Sequence, residues 1–223
     1  MSTTVVFLLL LHVALLLSIF NNATAVIAQN GECPLLYLYP FSDLQTREWS
    51  PFHAQYSFSI LSSIMMAIDH INTRNGGVIP QLATPEFDEC GFRIPSLAVG
   101  DSQGYEDPAV STVLNVFHGT GMEHRKYMPG FESNNNELLV PCAVIGDTLS
   151  NICMALASLT GNYFETPQIS PVANGAMLED ASLFPLFTRI LDSNKGTALA
   201  LLEWLLWHER DYIGVIYVEN EYG

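Results

Sequence analysis

The stretch from Cys142 to Pro171, CAVIGDTLSNICMALASLTGNYFETPQISP, narrows the possible folds more than any other part of this chain. Ala143, Val144 and Ile145 form a short apolar run of the kind that crosses a sheet covered on both faces, and Gly146 permits a sharp exit. Asp147, Thr148, Ser150 and Asn151 are all helix-capping residues, and Ile152, Met154, Leu156 and Leu159 then carry apolar bulk through a helix. Gly161 and Asn162 supply a stop, and a second strand runs toward Pro171. Strand, turn, helix and strand in this order predict a parallel pair joined by a crossover. Asp147 to Ser150 and Ser170 to Asn174 then lie at the carboxyl ends of strands, the edge at which open parallel sheets bind ligands. The unpaired N–H groups of a helix start make the turn from Thr148 to Asn151 a place for a carboxylate or other small anion. A cap satisfied by its own side chains is the competing reading.

The flanking sequence repeats the pattern. Pro34 to Phe41, PLLYLYPF, reads as a first strand, and it ends at Ser42 and Asp43, so Ser42 faces the same edge. Phe58 to Asn72 reads as a helix whose Ile60, Leu61, Ile64, Met65, Ile68 and Ile71 recur at three- and four-residue spacing. Ile94 to Val99 is a short strand ending in Gly100, Asp101 and Ser102, and Pro108 opens a helix running through Phe117. From His118 to Glu137 the chain loses all periodicity, which predicts a long loop. Asn194 to Trp207 forms a further helix with Leu199, Leu202 and Leu206 on one face and Leu205 beside it; Trp204 and Trp207 are expected to pack on the sheet. Ile213 to Val218, IGVIYV, completes the set as a last strand. The fold class is therefore α/β: an open parallel sheet of about five strands with helices on both faces.

Charge excludes several roles. With 23 acidic against 8 basic side chains, a net charge of −15 and no basic cluster, the chain is unsuited to nucleic acid. Val5 to Phe20 is an almost unbroken apolar run of 16 residues, interrupted by His12, followed by small residues, the layout of a signal peptide, so residues 1–28 are set apart from the fold. An uncleaved signal anchor is the alternative, although the run is shorter than the ~20 residues of a usual span. Export allows disulfides among Cys33, Cys90, Cys142 and Cys153, in three possible pairings. Cys33 with Cys90 is preferred, because both precede predicted strands in polar surroundings; Cys142 and Cys153 are equally readable as a bridge or as buried thiols. There is no paired CxxC, GxSxG, P-loop or GxGxxG, so no metal, catalytic or cofactor-binding residues are assigned.

Five segments in order, AIDHINTRNGG, VIGDTLSNICMALASL, TPQISPVANGAMLED, FPLFTRI and RDYIGVIYVENEYG, resemble successive signatures of the receptor-family ligand-binding region, which has the periplasmic-binding-protein type I fold. That family includes the ectodomains of class C G-protein-coupled receptors and receptor guanylyl cyclases. The resemblance spans roughly residues 34 to 223 and covers the first lobe only, so residues 29–223 are expected to be a truncated N-terminal lobe lacking its second lobe and membrane region. By that resemblance the ligand-binding turns are Asp147, Thr148, Ser150 and Asn151 after one strand and Ser170 and Asn174 after the next, with Ser150 the expected hydroxyl contact.

Three departures bear on the guest. Asp147 places a negative charge beside the proposed anion site, Leu149 stands where a small polar residue is usual, and Val172 replaces a polar one. A carboxylate within about 4 Å of Asp147 is opposed by roughly 1 to 4 kcal/mol, which favours a peptide, a cation or no ligand at all over an α-amino acid.

The resemblance implies a non-enzymatic, extracellular sensing lobe of a membrane receptor that binds a small molecule or peptide between two lobes, with a homodimer possible. A soluble secreted solute-binding protein and a secreted α/β enzyme are the alternatives.

Overall fold

The computed structural model describes residues 31–43, 48, 51–118, 126–127, 140–210 and 212–216, with residues 51–54, 126 and 127 described as backbone only. The expected signal segment, residues 1–28, lies outside the described residues, as does most of the loop expected between His118 and Glu137.

Strand β1 (Leu35–Tyr39) is the centre of the sheet, and every residue in it is buried. Because side chains alternate along a strand, one continuous apolar run can serve two cores. Leu35, Tyr37 and Tyr39 face helix α1 (Pro51–Asn72), packing with its Leu61, Ile64, Ile68 and Ile71. On the opposite side Leu36 and Leu38 meet helix α3 (Glu106–His118) through Val113, Val116 and Phe117, and helix α4 (Ser150–Asn162) through Ile152 and Leu156. Helix α2 (Pro85–Glu89) is a short surface turn capped by the Thr84 side chain.

Beside β1 lie β2 (Leu97–Asp101) and β4 (Ala143–Ile145), both parallel to it. Strands β5 (Gln168–Ser170) and β6 (Phe187–Arg189) extend the sheet in parallel beyond β4, and β3 (Lys126–Tyr127) adds an antiparallel edge to β2. The order is β3-β2-β1-β4-β5-β6. Five parallel strands with helices on both faces match the expected class.

Several boundaries and partners differ from the sequence reading, each for an identifiable reason. Helix α1 begins at Pro51, seven residues before Phe58, because proline suits a first helical position, where no N–H bond is needed. Strand β2 begins at Leu97 rather than Ile94, since the Ile94 N–H and carbonyl are both bonded to the Asn72 side chain (2.9 and 2.8 Å). Gly161 lies inside α4, buried, and Asn162 is the last helical residue.

The disulfide joins Cys33 to Cys142, not to Cys90. These cysteines stand at the start of neighbouring strands, where the Cys142 N–H donates to the Pro34 carbonyl at 2.8 Å and the two Cα atoms are 5.3 Å apart. Cys90 ends α2 as an exposed thiol, and Cys153 is a buried one.

The largest correction concerns the carboxyl-terminal part. Helix α5 (Asn194–Trp207) has the expected bounds but buries no residue. Trp204 and Trp207 are 52 and 78 % exposed and meet His208 instead of the sheet, and Leu199, Leu202 and Leu206 are exposed with them. The expected last strand is not formed over its described part: residues 213–216 are exposed and pair with nothing in the sheet. The fifth parallel position is taken by β6, whose three residues each pair with β5. A strand needs a partner edge as well as an apolar run, and only the run is visible in a sequence.

Candidate functional site

Strand β1 lies between β2 and β4, and the sheet grows outward from β1 in both directions. Without the antiparallel edge this is the doubly wound order 2-1-3-4-5, whose crevice opens at the carboxyl ends of the two strands where the winding reverses. The crevice is bounded by Phe41 and Ser42 after β1, Asp101 and Ser102 at β2, Gly146 to Asn151 after β4, and Ser170 to Asn174 after β5.

Gly146 makes the β4 turn possible. Its φ is +130°, and a Cβ there would run into the carbonyl oxygen of Leu38, so β1 and β4 approach at the crevice with no room for a side chain.

The sequence-predicted residues fall into two groups. Asp147, Ser150 and Ser170 are buried and tied together through the main chain. The Ser170 hydroxyl donates to the Asp147 carbonyl at 2.7 Å and accepts from the Ala173 N–H at 2.9 Å, while Ser150 Oγ accepts from the Gly175 N–H at 3.0 Å. These bonds lace the β5 turn onto the β4 turn.

Ser42, Thr148, Asn151 and Asn174 remain partly exposed, beside the exposed Leu149. Ser42 donates through its hydroxyl to Asp101 Oδ2 at 2.5 Å, and Asn151 donates to Glu106 Oε1 at 3.0 Å, linking the starts of α3 and α4. Asn174 accepts at its carbonyl from the Asn194 N–H at 2.8 Å. The predicted residues thus divide into a buried frame and an accessible rim.

Asp147 occupies the anion position expected of a guest. Its Oδ1 accepts from the N–H groups of Thr148 and Leu149 and from the Thr148 hydroxyl, the last two at 3.2 and 3.0 Å. The first turn of α4 itself has no side-chain cap. Burial pushes the Asp147 carboxyl above the usual aspartate range, while the Ser102 hydroxyl and the Thr148 and Leu149 donors pull the other way. Asp147 Oδ2 is buried and meets no donor at hydrogen-bond distance and angle among the described residues.

Three titratable side chains near Asp147 are shifted toward their neutral forms. Burial, and then the Asp147 charge, raise Tyr39 and push the Cys153 thiol up to about 12; Tyr37 is raised by burial, then by Tyr39 and Asp147.

Four contributors are not apparent in the sequence reading of the site. Asp101 clamps the end of β1 by accepting from the Phe41 N–H at 2.9 Å and from Ser42, and also binds the Gln103 N–H at 2.9 Å. Ser102 and Glu106 lie in the next turn. Gln168, fully buried, donates from Nε2 to the Gly146 carbonyl at 2.6 Å. The available signal was polarity in the wrong place: a glutamine within a buried strand and an aspartate at a strand end.

No family model matches this sequence. It is similar to the extracellular calcium-sensing receptor of Homo sapiens, 25% identical over 187 residues, covering 81% of this chain and 16% of the relative. The receptor of the same name in Sus scrofa is 32% identical over 169 residues, covering 74% and 14%. A probable metabotropic glutamate receptor of Caenorhabditis elegans is 32% identical over 81 residues, covering 36% and 8%. The chain therefore spans about a sixth or less of the length of these relatives, each of which is named as a receptor and none as an enzyme.

Proposed function

We propose that the chain is the first lobe of an extracellular ligand-sensing region of a membrane receptor, and that a small molecule or peptide is held in the crevice between β1 and β4 when a second lobe closes over it. The strand order is the observation that carries this reading. In this order the turns after β1 and β4 flank the reversal point and the turn after β5 lies next to them, and the partly exposed polar residues there, Ser42, Thr148, Asn151 and Asn174, support a ligand rim. Similarity to named receptors over most of the chain supports the same role. Ligand closure would bias a two-lobe equilibrium coupled to the membrane.

Glutamate and calcium, the ligands in the relatives' names, belong in the test panel with amines and short peptides. Among the described residues no group of three or more His, Cys, Asp or Glu side chains is placed to hold a metal ion. A carboxylate guest must bind beside Asp147, whose own oxygen occupies the Thr148 and Leu149 N–H groups.

Thermal unfolding tests the proposal. A ligand of this site, at about a hundred times its Kd, raises stability by ~2.7 kcal/mol, equivalent to roughly 5–10 °C in a domain of this size. Thr148→Val with Asn174→Ala removes that shift while leaving the melting of the free protein within ~2 °C. No shift with any member of the panel, in this chain or in any longer product of its gene, contradicts the proposal.

A further inference from the structure

Helix α5 carries a pattern that its own lobe does not use. Lys195, Leu199, Leu202, Leu206 and Glu209 are spaced four, three, four and three residues apart, the repeat by which two helices pack along a common seam. The leucines hold the middle of this stripe, with a cation at one end and an anion just past the other. All three leucines are half exposed or more. The opposite side has no such ridge, because Trp204 and Trp207 are preceded there by Gly196, Thr197 and Ala200.

The start of α5 is fixed to the lobe and the rest stands clear of it. Ser193 is buried and caps the helix by accepting from the Lys195 N–H at 3.0 Å, and the Asn194 N–H donates to the Asn174 carbonyl at 2.8 Å. Beyond the helix, residues 212–216 are extended, apolar but for Gly214, and exposed.

Charge narrows the choice of partner. The chain carries −15 as a whole, which opposes contact between copies, yet along residues 194–210 Lys195 and Arg210 balance Glu203 and Glu209. A helix that lies on an anionic lipid surface sets Lys and Arg opposite its apolar side, and α5 has no basic side. The stripe is instead complementary to itself. Turned end for end about Leu202, it sets Lys195 opposite Glu209, leucine against leucine, and the two helix dipoles antiparallel.

We propose that α5 joins two copies of this chain, packed antiparallel about a two-fold axis at Leu202. The same turn brings the partner's residues 212–216 to the start of α5, beside the outermost strand β6 and the half-exposed Leu191. An apolar segment that pairs with no strand thereby reaches the end of the sheet. Together with Leu191 and residues 212–216, the three leucines leave on the order of 700 Å² per copy in water, so that two copies bury about 1,400 Å², within the range of stable interfaces.

Sedimentation velocity of the full chain across the micromolar range tests this. A reversible monomer–dimer equilibrium with no larger species is expected, since a two-fold contact closes on itself. Leu202→Glu raises the dimer dissociation constant about 100-fold or more, while the melting temperature of the monomer is unchanged. Lys195→Glu and Glu209→Lys each raise it about tenfold, and the two together restore it to within about threefold, because the swapped charges meet again across the axis. Lys195 also lies near Glu179 of its own chain, and the double variant, which loses that contact as well, separates the two effects. A chain that stays monomeric, association that runs past the dimer, a dimer indifferent to Leu202→Glu, or charge reversals that fail to compensate each other would overturn the proposal. None of these readouts needs a ligand, so they stand apart from the receptor reading.

Discussion

Helices α4 and α5 are 13 and 14 residues long and similarly rich in apolar side chains, but they lie in opposite environments. Helix α4 buries Ile152 and Leu156 against β1, β4 and α3, and Cys153 and Ala157 against Ala173, Leu178 and Phe184, and the turn at its start is tied to β5 by Ser150 and Ser170. Helix α5 follows the edge strand β6 and buries nothing; its apolar residues run around the whole circumference. An all-round apolar surface is typical of helices that are buried. Burial is thus a property of the neighbours a helix finds, and the crevice is built where those neighbours are complete.

Substitutions in the two regions should differ accordingly. Gly146→Ala has the largest expected effect, about 5 kcal/mol, enough to abolish folding, since the new Cβ meets the Leu38 carbonyl at a backbone angle that favours glycine. Loss of native circular dichroism in that variant, with wild-type content retained in Gly161→Ala, checks it. Cys142→Ala opens a bridge between residues 109 apart in sequence and costs about 4 kcal/mol, measured by urea unfolding under oxidising conditions; Cys90→Ser leaves the midpoint unchanged.

Leu156→Ala, at a fully buried position in α4, costs about 3 kcal/mol. The same substitution at Leu202 in α5, half exposed, changes stability by about 0.5 kcal/mol or less. Equal losses at the two leucines would erase the distinction between the regions. Leu199→Glu, Leu202→Glu and Leu206→Glu together are expected to leave the melting temperature almost unchanged while suppressing concentration-dependent association in sedimentation velocity.

Local pattern made much of this fold legible. The bounds of β4 and α5 follow from the sequence, as does the two-sided burial of β1, because apolar runs, capping residues and helical periodicity are local signals. What pairs with what was not legible. The Cys33–Cys142 bridge depends on β4 lying beside β1, and the shift in β2 depends on Asn72, which is 22 residues away from Ile94. IGVIYV has the composition of a strand, but its described residues pair with no strand of the sheet.

At the site, the turn residues could be located in the sequence but their engagement could not. Ser150 and Ser170 have the chemistry of ligand contacts and are committed to the backbone of a neighbouring turn, while Asp147 fills with its own carboxyl the position offered to an anion. Gln168 and Asp101 gain their roles only once β5 and β2 are in place.

The most direct test of the account is to map, by amide chemical shifts in the isotopically labelled protein, where glutamate, calcium, amines and short peptides bind. The account predicts that a binding member of the panel perturbs Ser42, Thr148, Asn151 and Asn174 together and leaves α5 unaffected. Saturable perturbations confined to α5 or to the α1 face, with these four amides unmoved, would contradict it.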